Sequence, residues 1–176
     1  MINLKPEIMK TLGNKILILL LFFTLSTTYS QEKTKKEKKD AEKIEKQKQL
    51  EMLLNSKEFI FTAEKAIPQG LRTVNLTSSD HFVKIHLQTI ESHLPYYGRS
   101  YSGMPYGGDS GIQFDAKQTE YKLTKNKKGY QILATVKTEN DTYKLNFSIG
   151  FDGYASLNVS SNKKSSISYS GTVSSE

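Results

Sequence analysis

From Lys57 onward, apolar side chains recur at every second position. Phe59, Phe61 and Ala63 alternate with Glu58, Ile60, Thr62 and Glu64, the period of a half-buried strand. Pro68-Gln69-Gly70 ends that run. Val74 and Leu76 predict a second short strand before the turn at Ser78-Ser79-Asp80, and Val83, Ile85 and Leu87 mark one face of a third. Beyond residue 111 the alternation is cleaner. Ile112 and Phe114 begin it and Tyr121 and Leu123 follow, up to a turn at Asn126-Lys127-Lys128-Gly129. Tyr130, Ile132, Ala134 and Val136 share one face. Tyr143, Leu145, Phe147 and Ile149 come after the Glu139-Asn140-Asp141 turn. Ala155, Leu157 and Val159, then Ile167, Tyr169 and Val173, complete the set. Strands of about seven residues joined by short polar turns predict an antiparallel meander. The expected fold is therefore mainly β: an antiparallel curved sheet or partly open barrel of about eight strands, with an N-terminal helix. A sandwich fits the same pattern, and alternation alone does not decide whether the sheet closes.

Upstream the period changes. Residues 31–56 hold good helix formers without glycine or proline, so they are expected to be helical. Eight lysines and six acids make this segment nearly neutral, and Leu50, Met52, Leu53 and Leu54 form an apolar cluster only at its end. That distribution predicts a solvated stalk whose last two turns dock on the β domain. Met1 to Ser30 has a lysine-bearing start, an apolar run from Ile16 to Phe23, and a small polar stretch from Thr24. These are the parts of a secretory signal peptide. Thr28 and Ser30 fit the small-residue positions before a cut, which would leave Gln31 first. The apolar run is about ten residues, short of the roughly 20 needed to span a bilayer, so no stable membrane span is expected after cleavage. The organisation read from the sequence is thus 1–30 signal peptide, 31–56 charged helical segment and 57–176 β domain, in an exported protein of the periplasm or exterior.

One stretch interrupts the alternation. Leu94 to Asp115 holds Tyr96, Tyr97, Tyr101 and Tyr106, five of the eleven glycines, two of the four prolines, and Arg99, one of only two arginines. Pro95 and Pro105 restrict the backbone while the glycines permit close approach, which suits an ordered loop laid across the domain. Each tyrosine joins an apolar ring to a hydroxyl, useful both in packing and in recognition. Arg99 can pair with Asp109 or Asp115, or offer its fork to an external carboxylate or phosphate.

Charge and composition narrow the function classes. The net charge of +7 includes only +3 from residues 57–176, with 14 bases and 11 acids. That is not the footprint of a nucleic-acid-binding domain, and no nucleic-acid partner is expected. Cysteine is absent, which excludes disulfides, thiolate nucleophiles and a lipid-modified cysteine. Tryptophan is absent too, so tyrosine and phenylalanine must supply the large core side chains. His81, His86 and His93 match no common metal spacing, and neither a metal nor a cofactor is expected. Gly108-Asp109-Ser110-Gly111-Ile112 lacks the last glycine of a nucleophile elbow and no helix follows it.

The run Leu94-Pro95-Tyr96-Tyr97-Gly98-Arg99, then Pro105 to Asp115, resembles a family of exported Bacteroidota proteins catalogued as domain of unknown function 4251. The likeness extends from about Lys57 to Val173. It includes Phe59-Ile60-Phe61, the Lys127-Lys128-Gly129-Tyr130 turn, Gly153-Tyr154-Ala155 and Ile167-Ser168-Tyr169-Ser170-Gly171. The resemblance implies an envelope location and transfers no catalytic residue.

The leading expectation is a non-enzymatic binding or structural module of the cell envelope. Tyr96, Tyr97, Arg99, Tyr101, Tyr106 and Asp109 are its candidate contacts for an envelope ligand or protein. Two alternatives make different demands. A small envelope carbohydrate hydrolase would use Asp109 and Asp115 as acid and base in one cleft. A lipid carrier would need a large apolar cavity beneath the helix.

Overall fold

The alternation along the chain becomes a single antiparallel β system. The structure, a computed structural model, describes residues 35–101 and 111–176. The expected signal peptide and its cleavage point lie outside the described residues, as do Tyr106 and Asp109. The strands are β1 (Glu58–Pro68), β2 (Val74–Asn75), β3 (Phe82–His86), β4 (Thr89–Leu94), β5 (Ile112–Asn126), β6 (Gly129–Lys137), β7 (Thr142–Gly150), β8 (Tyr154–Ser161) and β9 (Ile167–Ser174).

Pairing runs β1-β3-β4-β5-β6-β7-β8-β9, and β9 then returns to β1 from Ile60↔Ser174 to Pro68↔Ile167. Eight strands therefore close an up-and-down barrel, with no open edge between first and last. β2 is an addition: it pairs with β1 through Lys65↔Asn75 and Ala66↔Val74, beyond the point where β3 stops.

Two bulges shape the barrel. In β1 the register against β9 shifts between Ala63 and Lys65. The inward set accordingly passes from Phe59, Phe61 and Ala63 to Ala66 and Pro68. In β5 the register against β6 shifts between Gln118 and Glu120. Phe114 and Ala116 pack on the core before it, Tyr121 and Leu123 after it. One extra residue flips the parity of everything downstream. Gly171 sits opposite the first bulge, where an added Cβ would run into the Thr62 carbonyl and lie 3.0 Å from the Ala63 Cα. Only glycine lets β1 and β9 approach this closely.

Inward side chains fill the lumen. Phe147 meets Phe61 edge-on at 5.8 Å between ring centroids and Phe59 at 6.4 Å, and Val83, Ile90, Leu157 and Tyr169 are fully buried around them. A lipid carrier would need room where these side chains sit.

The chain divides into two units, 1–45 and 46–176. A helix, α1, covers the described residues 35–56. In the first unit its residues 35–45 are exposed, as expected of lysines and glutamates with no apolar stripe. In the second, Leu50 and Leu54 enter the core and Leu53 packs against it. Full burial of a leucine such as Leu54 contributes about 2 kcal/mol. Tyr121 donates its hydroxyl to the Leu54 carbonyl at 3.0 Å, satisfying one of the acceptors left over at a helix C-terminus. Lys57 then takes a left-handed conformation, φ 58°, which stops the helix and turns the chain into β1.

Because the barrel is an up-and-down meander, its connections alternate between two ends. The end of α1 and the turns at 87–88, 127–128 and 151–153 lie at one, here called the lower. The connections 69–81, 138–141 and 162–166 lie at the other, the upper, as does the segment 95–101 that leaves β4.

Candidate functional site

The upper end is where the tyrosine-rich stretch begins. Along β4, Ile90, Ser92 and Leu94 point inward, and two further positions bring Tyr96 to the same side. Ser92 is the only buried polar side chain among the described residues, and it donates to the Ile112 carbonyl at 2.8 Å. Tyr96 is 7% exposed. Its hydroxyl lies 2.8 Å from the Arg99 carbonyl and 2.8 Å from Ser165 Oγ. Gly98 passes over this hydroxyl so closely that a Cβ there would overlap it. Below, Tyr169 of β9 donates to the Pro95 carbonyl at 2.7 Å, and burial pushes its phenol far above the usual tyrosine range.

The β8–β9 turn completes the clamp. Ser165 N–H donates to the Arg99 carbonyl at 2.9 Å, and Tyr101 N–H to the Lys163 carbonyl at 2.8 Å. Arg99 N–H donates to Ser165 Oγ at 3.1 Å, and Ser100 bridges Lys164. Lys164 carries its ammonium over the Tyr96 ring, 5.0 Å from the centroid, and donates to the Gly111 carbonyl at 2.6 Å. The backbone from Pro95 to Tyr101 is therefore held at several points.

This clamp divides the predicted contact residues. Tyr96 is a packing residue. Tyr97 at 37% and Tyr101 at 69% exposure face solvent. Arg99 is exposed as well, and its guanidinium makes no ion pair among the described residues. In particular it does not meet Asp115.

Asp115 is elsewhere. It is exposed on the outer wall, opposite Glu91 in the β4–β5 register. Together with Lys84, His86, Thr89 and Glu176 these two acids line a polar hollow of about 340 Å³. Lys84 is ion-paired with Glu176, whose hydrogen bond raises the lysine's pKa. The histidines are scattered: His86 lies 3.8 Å from Glu58, and His93 stacks on Phe82. No group of three potential metal ligands occurs among the described residues.

The lower end carries two further hollows. One of about 450 Å³ lies at the Asn126–Tyr130 turn beside Ser148–Gly150. The other, about 390 Å³, runs between Lys46, Gln49, Leu50 and Leu53 of α1 and Phe151, Gly153 and Val173. Near the first, Lys125 donates to Glu51 at 2.6 Å and Tyr130 donates to the same oxygen at 3.1 Å. The lysine's hydrogen bond, then the tyrosine's, holds the Glu51 carboxyl below its ordinary range.

Sequence reasoning missed Lys163 and Ser165, which reach the loop only because β9 closes the barrel. It also treated Tyr96 and Tyr97 alike. The strand parity through Ile90, Ser92 and Leu94 was the available signal that one goes in and the other out.

The molecule is thus a closed, side-chain-filled up-and-down barrel with a helix end packed at one mouth and a clamped loop at the other. The chain belongs to the family described as domain of unknown function DUF4251, which matches residues 38–173. The match begins inside α1, so the helix is part of the family's pattern and not only the β domain from Lys57. A crystal structure of a DUF4251 family protein from Bacteroides eggerthii is similar in fold, with a TM-score of 0.59 at 14% identity, over 74% of this chain and 87% of that one. No curated protein matches the chain.

Proposed function

We propose that this protein is an exported cell-envelope module that binds a ligand or partner through the outward face of its upper loop, formed by Tyr97, Arg99 and Tyr101. The observation that carries the reading is the contrast within one short segment. Pro95 is held by Tyr169, and Tyr96 and the backbone of Arg99 by Ser165, while Arg99 and Tyr101 are exposed and Tyr97 is partly so. A rigid backbone presenting free aromatic and guanidinium groups loses little entropy on binding. Exposed tyrosines and arginine are also the residue types that concentrate contact energy. Export rests on the three-part signal pattern of residues 1–30. Binding is favoured over the hydrolase alternative because Asp115, one of its two acids, is exposed on the outer wall in a hollow that Tyr97, Arg99 and Tyr101 do not line.

Two measurements test the reading. Wild type and a Tyr97→Ala, Arg99→Ala variant are used to recover partners from envelope extracts. Recovery should fall with the variant, and equal recovery would remove the loop face from the function. For export, N-terminal sequencing of the protein from the periplasmic or extracellular fraction should begin at Gln31. An intact Met1 terminus in the cytosolic fraction would refute it.

A further inference from the structure

We infer that the upper loop face takes an acidic saccharide, with a carboxylate or phosphate held by Arg99 and Lys163 and a sugar ring laid on Tyr97 or Tyr101. This rests on the reading of that face as a contact surface and names the class of ligand it fits.

Charge provides the first argument. The face is made by residues 95–101 and the β8–β9 turn. Residues 95–101 and 153–175 contain Arg99, Lys163 and Lys164 and no aspartate or glutamate. The adjoining β6–β7 turn contributes the exposed Glu139 and the half-buried Asp141, the latter with its carboxylate occupied by the Ser161 hydroxyl at 2.5 Å and the N–H groups of Thr142 and Asn162. Lys164 is engaged with Gly111 and the Tyr96 ring. Arg99 and Lys163 are exposed and make no ion pair among the described residues. Two exposed cations on paired backbone segments, with no ion pair among the described residues, favour an anion, and the planar guanidinium matches the oxygens of a carboxylate or phosphate.

The neighbours of these cations choose among anions. Tyr97 and Tyr101 flank Arg99 at two residues on each side, the first partly and the second largely exposed, and each joins an apolar ring to a hydroxyl. That pairing suits a flat ring bearing hydroxyls and an acid group. An extended acidic peptide fits less well. The Ser100–Lys164 bridge and the Tyr101–Lys163 hydrogen bond already occupy backbone groups of this segment, whereas strand addition needs a free edge.

The test titrates the purified protein with polygalacturonate, with phosphomannan, with a neutral galactan and with phosphatidylglycerol vesicles, at low and physiological salt. The expected result is salt-sensitive binding to one or both acidic polymers, at least about tenfold tighter than to galactan. Arg99→Ala should weaken it by about tenfold or more, the size of a lost charge-assisted pair. Arg99→Lys should restore only part of it, and Tyr101→Ala should weaken it too. Lys127→Ala, at the lower end, is the control for net charge and should leave binding unchanged. Equal loss in Arg99→Ala and Lys127→Ala would mean diffuse electrostatics and overturn the inference. So would vesicle binding without polymer binding, equal affinity for galactan, or no binding to any acidic polymer. Each of those failures leaves the extract recovery experiment standing as the separate test of the contact surface itself.

Discussion

The Tyr169 hydroxyl, inside the barrel on β9, donates to the carbonyl of Pro95, the first residue of the upper loop, at 2.7 Å. A core residue thus sets the height at which the loop leaves β4. Replacing Tyr169 with Phe keeps the ring and strands the Pro95 carbonyl. The expected cost is about 1–2 kcal/mol, as for a buried acceptor left unpaired. A lowered urea midpoint with an unchanged slope would record it, and an unchanged midpoint would mean that the carbonyl finds water.

The same burial predicts alkaline lability. The Tyr169 phenol is raised above its ordinary value of about 10, first by desolvation, and so is that of Tyr121. Both therefore stay protonated in the fold at a pH where the unfolded chain ionises. Their stabilising protons are fully held below about pH 10, and stability falls as pH rises above it. For Tyr169 the slope approaches about 1.4 kcal/mol per pH unit. Denaturant midpoints measured between pH 8 and 11 should decline, and less so in Tyr169→Phe.

Gly171 tests the closure of the barrel. Alanine there would push its methyl into the Thr62 carbonyl at the β1 bulge. Overpacking of this kind costs about 1–3 kcal/mol, and it falls on the β1–β9 seam. Amide exchange should rise first in β1 and β9, and uniform exchange across the barrel would contradict the seam's role.

The two mouths of the barrel should respond oppositely to mutation. Leu54→Ala removes a fully buried side chain at the lower end and should cost about 2–5 kcal/mol. Arg99→Ala and Tyr101→Ala remove exposed groups and should alter stability by no more than about 0.5 kcal/mol. Thermal melts of the three variants compare them directly. A strongly destabilised Arg99→Ala would make the arginine a structural residue.

Much of the fold was legible in the alternation of single strands. Tyr130 to Val136 and Tyr143 to Ile149 point inward as their spacing predicts, because each strand carries its own apolar face. Closure was not legible. It depends on the pairing of Phe61 with Val173 and of Pro68 with Ile167, and a contact across most of the chain leaves no local period. The long β5 was obscured for a related reason. The bulge near Thr119 separates Ile112, Phe114 and Ala116 from Tyr121 and Leu123 by an odd step, so one strand resembles two. For the loop, composition pointed to the right segment but could not sort its tyrosines. Tyr96 and Tyr97 are chemically identical, and only strand parity and the arrival of Ser165 distinguish them.

The alternation of connections also gives the barrel a direction. The chain reaches the barrel through α1 at the lower mouth, where Leu54 is buried, and the clamped loop crowns the opposite mouth. Strands of eight or nine residues, β6 to β9 among them, rise about 3.3 Å per residue along a tilted course, a standoff of roughly 20 Å. Leu54 therefore stands at one pole and Tyr97, Arg99 and Tyr101 at the other. The barrel is a filled spacer: its packed interior fixes the separation between the helix end and the upper loop.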